Sequence, residues 1–504
     1  MWAGLLTGYG WPEKMNTVKH FERALGWIDA NTVANAGVVV SSKSDKPYPE
    51  VSGYFIPTLL AWNEGDRAFA YGRWLLTKQH AAGCWGDPNL DEPYAFDTGQ
   101  VIKGLLSLYE KTSEPEWESA LRRACNWIVS LIDDTGRPHV PDEKAWGNQV
   151  PLGVLLYSFE AVRRAGVVLN EPAWIKCIDR SVAWFISQPE LIEFTHLSHF
   201  HAYILEALCD LGFHNLARKG MEKIADLQRA DGAIPAYHNV RWVCSTGLFQ
   251  YAIVWYKLGE IEKGESAFTY ASKLQNKSGG WYGSYGLFSK YFRKAEISWS
   301  VKYYLDALSL RLRYSFEKMS PIFSETIDYA DGRYQLIREQ IKKASPSVAL
   351  DAGCGKGRYL KNLAKDFPSL ILHGADLSTR VMESISSNVL LKQGSLMGLP
   401  YSDASFDLVY TIEALEHAVH IQGALRELLR VIKPGGTLIV IDKNKCALGS
   451  LKLPDWEQWF DTADLRYQLE KIGLEVKTIE SVPYEGRTDK LFTAWIATKP
   501  PRIN

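Results

Sequence analysis

Apolar residues recur at spacings of three and four through most of the first 315 residues, as in Val18–Ile28, Val101–Tyr109, Leu152–Val162, Ala202–Leu211 and Val301–Leu310. That period predicts amphipathic helices. Between them stand turns built alike, namely Gly83-Cys84-Trp85-Gly86-Asp87, Asp133-Asp134-Thr135-Gly136-Arg137-Pro138, Ala230-Asp231-Gly232-Ala233-Ile234-Pro235 and Lys277-Ser278-Gly279-Gly280-Trp281-Tyr282. Each follows an apolar helix, and its glycine supplies the backbone angle that ends one. A second helix then begins near Glu50, Asp97, Gln149, His196, Thr246 and Glu296. The interval of roughly 46–52 residues lies in the range of helical repeats. About six hairpins fit, which predicts a closed ring of hairpins.

Past residue 345 the pattern changes to alternating strands and helices, the mark of a mostly parallel sheet. Residues 311–345 read as a polar bridge and a lead-in helix, Tyr334–Lys343. The strand Ser347–Leu350 runs into Asp351-Ala352-Gly353-Cys354-Gly355-Lys356-Gly357-Arg358, and a helix, Tyr359–Lys365, follows. A second strand, Leu370–Ala375, ends in Asp376, and the segment Ser405–Tyr410 leads into Thr411-Ile412-Glu413-Ala414-Leu415-Glu416-His417. Helix Gly423–Val431, the turn Lys433-Pro434-Gly435-Gly436 and strand Thr437–Ile441 come next. Helix Ala463–Ile472 with the paired strands Glu475–Ile479 and Phe492–Thr498 supplies an antiparallel end. The sheet is expected to hold seven strands, and the domains are placed at 1–315 and 316–504.

Composition separates the two parts further. Of 18 tryptophans, 15 precede residue 300. At 504 residues the chain exceeds what one core sustains, about 250–300 residues. A formal net charge of -1 gives no broad field to recruit nucleic acid. No apolar run approaches the roughly 20 residues that span a bilayer. Met1–Lys14 lacks a basic start with an apolar core, so no signal peptide is expected. Seven scattered cysteines without Cys-x-x-Cys fit reduced thiols in a cytoplasm.

The glycine loop after the first strand carries chemistry. Glycines allow a tight turn and close ligand approach, and the helix N-terminus offers free N–H groups to a carboxylate. A dinucleotide fingerprint wants Gly-x-Gly-x-x-Gly. Here the third glycine comes one place early, at Gly357, and Asp351 ends the strand. Asp351-x-Gly353-x-Gly355-x-Gly357 resembles the first motif of class I methyltransferases, and the ordered series after it is similar to the ubiquinone-biosynthesis type. The resemblance covers roughly residues 330–500. It implies a Rossmann-like fold and S-adenosylmethionine held by Asp351, Gly353, Cys354, Gly355, Gly357, Asp376, Leu377, Ser395, Leu396 and Thr411. Asp376 is placed to accept the ribose hydroxyls. Ser395 replaces the acid that family members usually direct at the adenine amino group. His417 leads as the catalytic base, with an ordinary pKa near neutrality. Glu413, Glu416 and His417 resemble a Glu-x-x-Glu-His metal cluster that helical spacing would set on one face. A divalent ion, a metal-free base and a structural role stay open for them.

The helical part resembles the (α/α)6 toroid shared by terpene cyclases, protein prenyltransferases and the six-hairpin glycosidases and lyases. Leu274-Gln275 followed by Gly279-Gly280-Trp281 looks like the glutamine–tryptophan repeat of the cyclases. Leu131 stands where the acidic cyclase motif before Asp133-Asp134 needs another acid, and those residues fill a repeat turn. In a toroid the second helices line the inside. One rim would then gather Glu50, Trp85, Asp97, Trp146, Gln149, His196, His199, Trp242, Trp281, Tyr282 and Glu296. Rings that stack on C–H faces and carboxylates that accept hydroxyl donors suit a sugar; helix capping and bracing of hairpins is the alternative. The expected function is O-methylation of a sugar or glycan-type acceptor in polysaccharide biosynthesis, without nucleic acid or a membrane span. Two other readings stand beside it: a toroid that is itself a glycan lyase, hydrolase or epimerase, and a toroid that serves as a protein-interaction scaffold.

Overall fold

The computed structural model describes residues 16–87, 92–386 and 388–501. The expectation made for Met1–Lys14 falls outside them. Contacts divide the chain into two units. One comprises residues 19–60 and 64–311. Of the described residues, the other comprises those from 312 onward, with 61–63 and 16–18.

The first unit is helical. Its helices alternate between apolar and amphipathic faces. Pro49–Ala61, Ala95–Thr112, Leu155–Val168, Ser198–Asp210, Ser245–Lys257 and the start of Ser298–Met319 are largely buried. Gly65–Thr77, Pro115–Ser130, Pro172–Ile186, His214–Leu227 and Ile261–Ser272 keep one wet face. These starts fall within a few residues of the expected ones, except that Gln149 precedes its helix in an exposed turn. Small residues bring the buried helices into backbone contact. Gly53 lies against Val101, Gly99 against Ser158 and Gly247 against Ser198, each too close for a Cβ to fit. Helix Ser298–Met319 reaches both neighbours: Ser300 hydrogen-bonds Ser245 at 2.7 Å, and Asp306 accepts from Thr58 at 2.7 Å.

The four turn glycines share one geometry. Gly83, Gly136, Gly232 and Gly279 have φ of +97°, +92°, +94° and +98°. A Cβ on each would strike the backbone carbonyl of Arg123, Arg180, Ser266 or Arg23 respectively. Each turn therefore docks on a neighbouring wet-faced helix, and the last docks on the first, Thr17–Ala30.

In the second unit the strands are β1 (Val348–Ala352), β2 (Ile371–Asp376), β3 (Leu390–Gln393), β4 (Phe406–Ile412), β5 (Ile432–Lys443), β6 (Glu475–Ile479) and β7 (Phe492–Thr498). The sheet has seven strands in the order β6-β7-β5-β4-β1-β2-β3. β7 runs antiparallel to both β5 and β6, and the other pairs are parallel. The order reverses between β1 and β4, so their carboxyl ends open a crevice, where such sheets take ligands. One sequence expectation is corrected. Lys433–Gly436 is not a turn before a strand but part of β5. Pairing jumps from Phe406–Ile432 to Leu408–Thr437, and Gly435 takes a φ of +81° within the bulge.

Candidate active site

At the ends of β1 and β4 a cleft holds about 1310 Å³ of empty space, part of it open to solvent. Asp351, Gly353, Cys354, Gly355, Asp376, Leu377, Ser395 and Leu396 all line it. Gly357 ends the loop and precedes the helix Arg358–Asp366, with φ +69° and Ile385 filling the place of a Cβ. Gly353 and Cys354 donate to the carbonyl of Ala375, at 2.8 and 3.0 Å, which fastens the loop to β2. Gly353 has φ +85°, and a Cβ there would lie 2.4 Å from that of Ala414.

The two strand-ending acids differ. Asp376 accepts from the amides of Gly355 at 2.9 Å and Ser378 at 3.2 Å. Burial pushes its pKa up nonetheless. Asp351 is 2% exposed and its Oδ2 has no partner. Burial pushes that carboxyl up to about 8. A buried oxygen without a partner is costly, and the Tyr410 hydroxyl beside this carboxyl offsets only part of the effect of burial.

Thr411 is placed elsewhere. It is fully buried in β4, on the face opposite Tyr410 and Ile412, and does not reach the cleft. Ser395 keeps its place but turns its hydroxyl to the amide of Met397, at 3.1 Å.

The expected metal cluster does not form. Residues 413–417 are not one helix: Glu413 has φ +51°, and only Leu415–His417 make a single 3-10 turn. Helical spacing therefore does not operate. Glu413 swings to Arg333 at 2.6 Å and Arg358 at 2.5 Å. Burial alone would raise its pKa, but the two guanidiniums outweigh it and hold it at about 2. Glu416, fully buried, binds the ammonium of Lys443. That ammonium takes the place a metal would need. Among the described residues no group of three His, Cys, Asp or Glu is assembled for a metal ion, and these donors do not fit one.

The structure instead gives His417 two carboxylates. Its Nε2 lies 3.5 Å from Glu416 and its Nδ1 3.9 Å from Glu457. Glu457 also meets Lys443 at 3.4 Å and accepts from the indole of Trp459 at 2.6 Å. Burial would raise Glu457, but His417 and Lys443 pull it below the usual range. Behind them Asp442 is fully buried, and burial with the nearby Glu416 drives its carboxyl far upward. The imidazole leans on Phe316, with ring centroids 5.2 Å apart. Leu312, Phe316, Met319 and Phe323 supply an apolar wall to the same cleft. The sequence reading missed Glu457 and this wall. Neither belongs to a spaced motif, and no local signal marks them.

In the helical unit the rim residues separate. Trp85 and Trp281 are fully buried. Each indole donates at 2.8 Å to a carbonyl ten residues back, Leu75 and Ala271. They brace hairpins and offer no ligand face. Glu296 is likewise structural: it accepts from Trp27 at 2.8 Å, Asn276 at 2.7 Å and the Ser278 hydroxyl. Gln149 is exposed, and half-buried His196 meets Thr195 at 3.0 Å. His199 faces Gln250 and His201 faces Tyr251, so the three histidines share no centre. Asp133 closes its own turn through Thr135 and Arg137.

Glu50 and Asp97 remain together, one turn before the contact of Gly53 with Val101. Glu50 accepts from the Trp299 indole at 3.1 Å, and burial pushes its pKa up to about 7. Burial and then Glu50 raise Asp97 well above its usual value, and its Oδ2 lacks a partner. Aromatic rings continue around them: Trp299 lies 5.9 Å from His199 and from Phe292, and Phe96 lies 6.2 Å from Trp146.

A family model described as a methyltransferase domain matches residues 350–440. A malonyl-[acyl-carrier protein] O-methyltransferase of Dechloromonas aromatica is 30% identical over 25% of this chain and 48% of its own. A 2-methyl-6-phytyl-1,4-hydroquinone methyltransferase of Synechocystis is 36% identical over 22% of this chain and 37% of its own. The chain thus spans about half or less of the length of the curated relatives it matches. Among solved structures, a methyltransferase of Aquifex aeolicus shares 20% identity over 37% of this chain and 97% of its own, with a TM-score of 0.30.

Proposed function

We propose that the methyltransferase domain matched at residues 350–440 is of the class I S-adenosylmethionine-dependent kind and that the chain methylates a hydroxyl of a sugar or glycan-type acceptor. The observation that carries the reading is that two strand-ending acids, Asp351 and Asp376, line one cleft beside a loop of three glycines with positive φ. Asp351, the Gly353–Gly357 loop, Asp376, Leu377 and Leu396 would hold the donor. When bound, S-adenosylmethionine supplies a methyl group on a positively charged sulfur, which a well-placed nucleophile accepts. His417 takes the proton from the acceptor hydroxyl. Glu416 and Glu457 stabilise the imidazolium so formed and fix the ring. Phe316 and Met319 keep that end of the cleft dry and offer an apolar face on which a sugar ring can lie. Lys443 stays on Glu416 and Glu457 and keeps these buried carboxylates compensated.

The helical unit supports the sugar. We infer a closed α/α toroid from the glycine turns, which dock each on a neighbour and finally on Arg23. Its inner helices bring Glu50, Asp97 and Trp299 to one end, a set that suits polyol hydroxyls and a C–H face. Because Asp97 and Glu50 are both raised by burial, a toroid that itself processes glycans is the second reading.

Calorimetry of the full chain with S-adenosylhomocysteine tests the donor site: heat is expected from the natural protein and none from Asp351→Leu. No heat from the natural protein sinks the proposal. Transfer of methyl label to a hexoside panel tests the acceptor, with His417→Gln expected to lose turnover and keep donor affinity.

A further inference from the structure

In the helical unit, residues 284–295 form an excursion whose roots are fixed and whose tip is bare. Val243–Cys244 pairs with Ser284–Tyr285, and Gly283 donates to the carbonyl of Phe292 at 3.1 Å. Tyr291 packs toward His199 and Phe292 toward Trp299, with centroids 6.3 and 5.9 Å apart. Between these anchors Leu287 is 82% exposed and Phe288 83% exposed. No other large apolar side chain among the described residues is so exposed. Phe288 also holds φ +61°, a costly conformation for an aromatic residue.

The charge around the tip is one-sided. Loop segments 237–243 and 283–295 carry Arg241, Lys290, Arg293 and Lys294, all exposed, and contain no Asp or Glu. In a chain of net charge -1 that is a local exception. Two protruding apolar side chains are far too little for a stable protein interface, which buries about 1,200–2,000 Å². Apolar tips ringed by Lys and Arg are what an interfacial lipid contact needs.

We propose that this loop docks the protein on an anionic lipid surface, with Leu287 and Phe288 entering the headgroup boundary and Arg241, Lys290, Arg293 and Lys294 meeting lipid phosphates. No helix among the described residues is long and apolar enough to cross a membrane, so this contact is peripheral. It does not depend on the methyltransferase reading.

The test is sedimentation of the full chain with vesicles. Binding is expected to vesicles of equal parts phosphatidylglycerol and phosphatidylcholine, not to phosphatidylcholine alone, and to weaken with salt. The double variant Leu287→Ser with Phe288→Ser should lower partitioning about tenfold or more. Lys290→Glu with Arg293→Glu and Lys294→Glu should remove the preference for anionic lipid. Because all five side chains are exposed, circular dichroism and melting should stay unchanged. Failure of the natural protein to sediment with anionic vesicles overturns the proposal. So does equal sedimentation of the Leu287 and Phe288 variant, or self-association that this variant abolishes without any vesicle binding.

Discussion

Lys443 donates its ammonium to the carboxylate of Glu416, and neither residue is more than 6% exposed. The pair is surrounded by further acids, Glu457 and Asp442, also buried. One cation therefore compensates a cluster. Replacing one partner of a buried pair leaves an uncompensated charge, at a cost of about 3–5 kcal/mol. Lys443→Met should lower stability by about that much in urea unfolding, and Lys443→Met with Glu416→Gln should recover part of it. Equal losses in the single and double variants would show that the charge pairing is not what matters.

Acid should expose a different pair. The Glu413 carboxyl falls from 4.5 to about 2 on folding, where Arg358 and Arg333 outweigh burial. A depressed folded pKa adds stability that is complete above the unfolded value and is lost as pH falls through the folded one. Glu413→Gln should thus cost about 2–3 kcal/mol at neutral pH. The difference from the natural protein should shrink below pH 4.5 and vanish only below about pH 2. Melting scans across that window check it; a difference independent of pH contradicts the ion-pair account.

The sequence made the donor loop legible because its chemistry is local. Asp351, three glycines and a helix start lie within one strand–turn–helix, and Asp376 ends the next strand. Glu413 was misread for the opposite reason. Its spacing to Glu416 and His417 implies a shared helix face only if a helix is there, and a residue at φ +51° breaks it. Glu457 was invisible because a loop with no period carries it back to His417 from forty residues on. Trp85 and Trp281 were found as a repeat but read as a rim. Their common acceptor ten residues upstream shows why the repeat keeps them: each indole spans its own hairpin.

Asp351 behaves oppositely to Glu413. Burial raises it from 3.8 to about 8. Its contribution is fully present below the unfolded pKa and is lost as pH rises through the folded one. Asp351→Asn removes that loss. Without ligand, the variant should match the natural protein near pH 4 and melt higher at pH 9, by about 2–4 °C for each kcal/mol relieved. Binding of S-adenosylhomocysteine should be lost at every pH. A variant that melts lower at pH 9 would mean the carboxylate is held by partners other than a ligand.

Gly279 and Gly259 separate strain from collision. Both have positive φ, +98° and +79°. A Cβ on Gly259 meets nothing within 4 Å, whereas one on Gly279 would lie 1.9 Å from the carbonyl oxygen of Arg23. Alanine at Gly259 therefore adds only the cost of a left-handed backbone, about 1–2 kcal/mol. Alanine at Gly279 adds the same cost and also pushes the turn off the helix Thr17–Ala30. Its total should exceed about 3 kcal/mol. Hydrogen exchange localises the effect: protection should fall in Thr17–Ala30 and Ile261–Ser272 for Gly279→Ala, and only near residue 259 for Gly259→Ala. If both variants lose the same stability, the docking of the last turn on Arg23 contributes nothing, and the proposed closed toroid loses its main support.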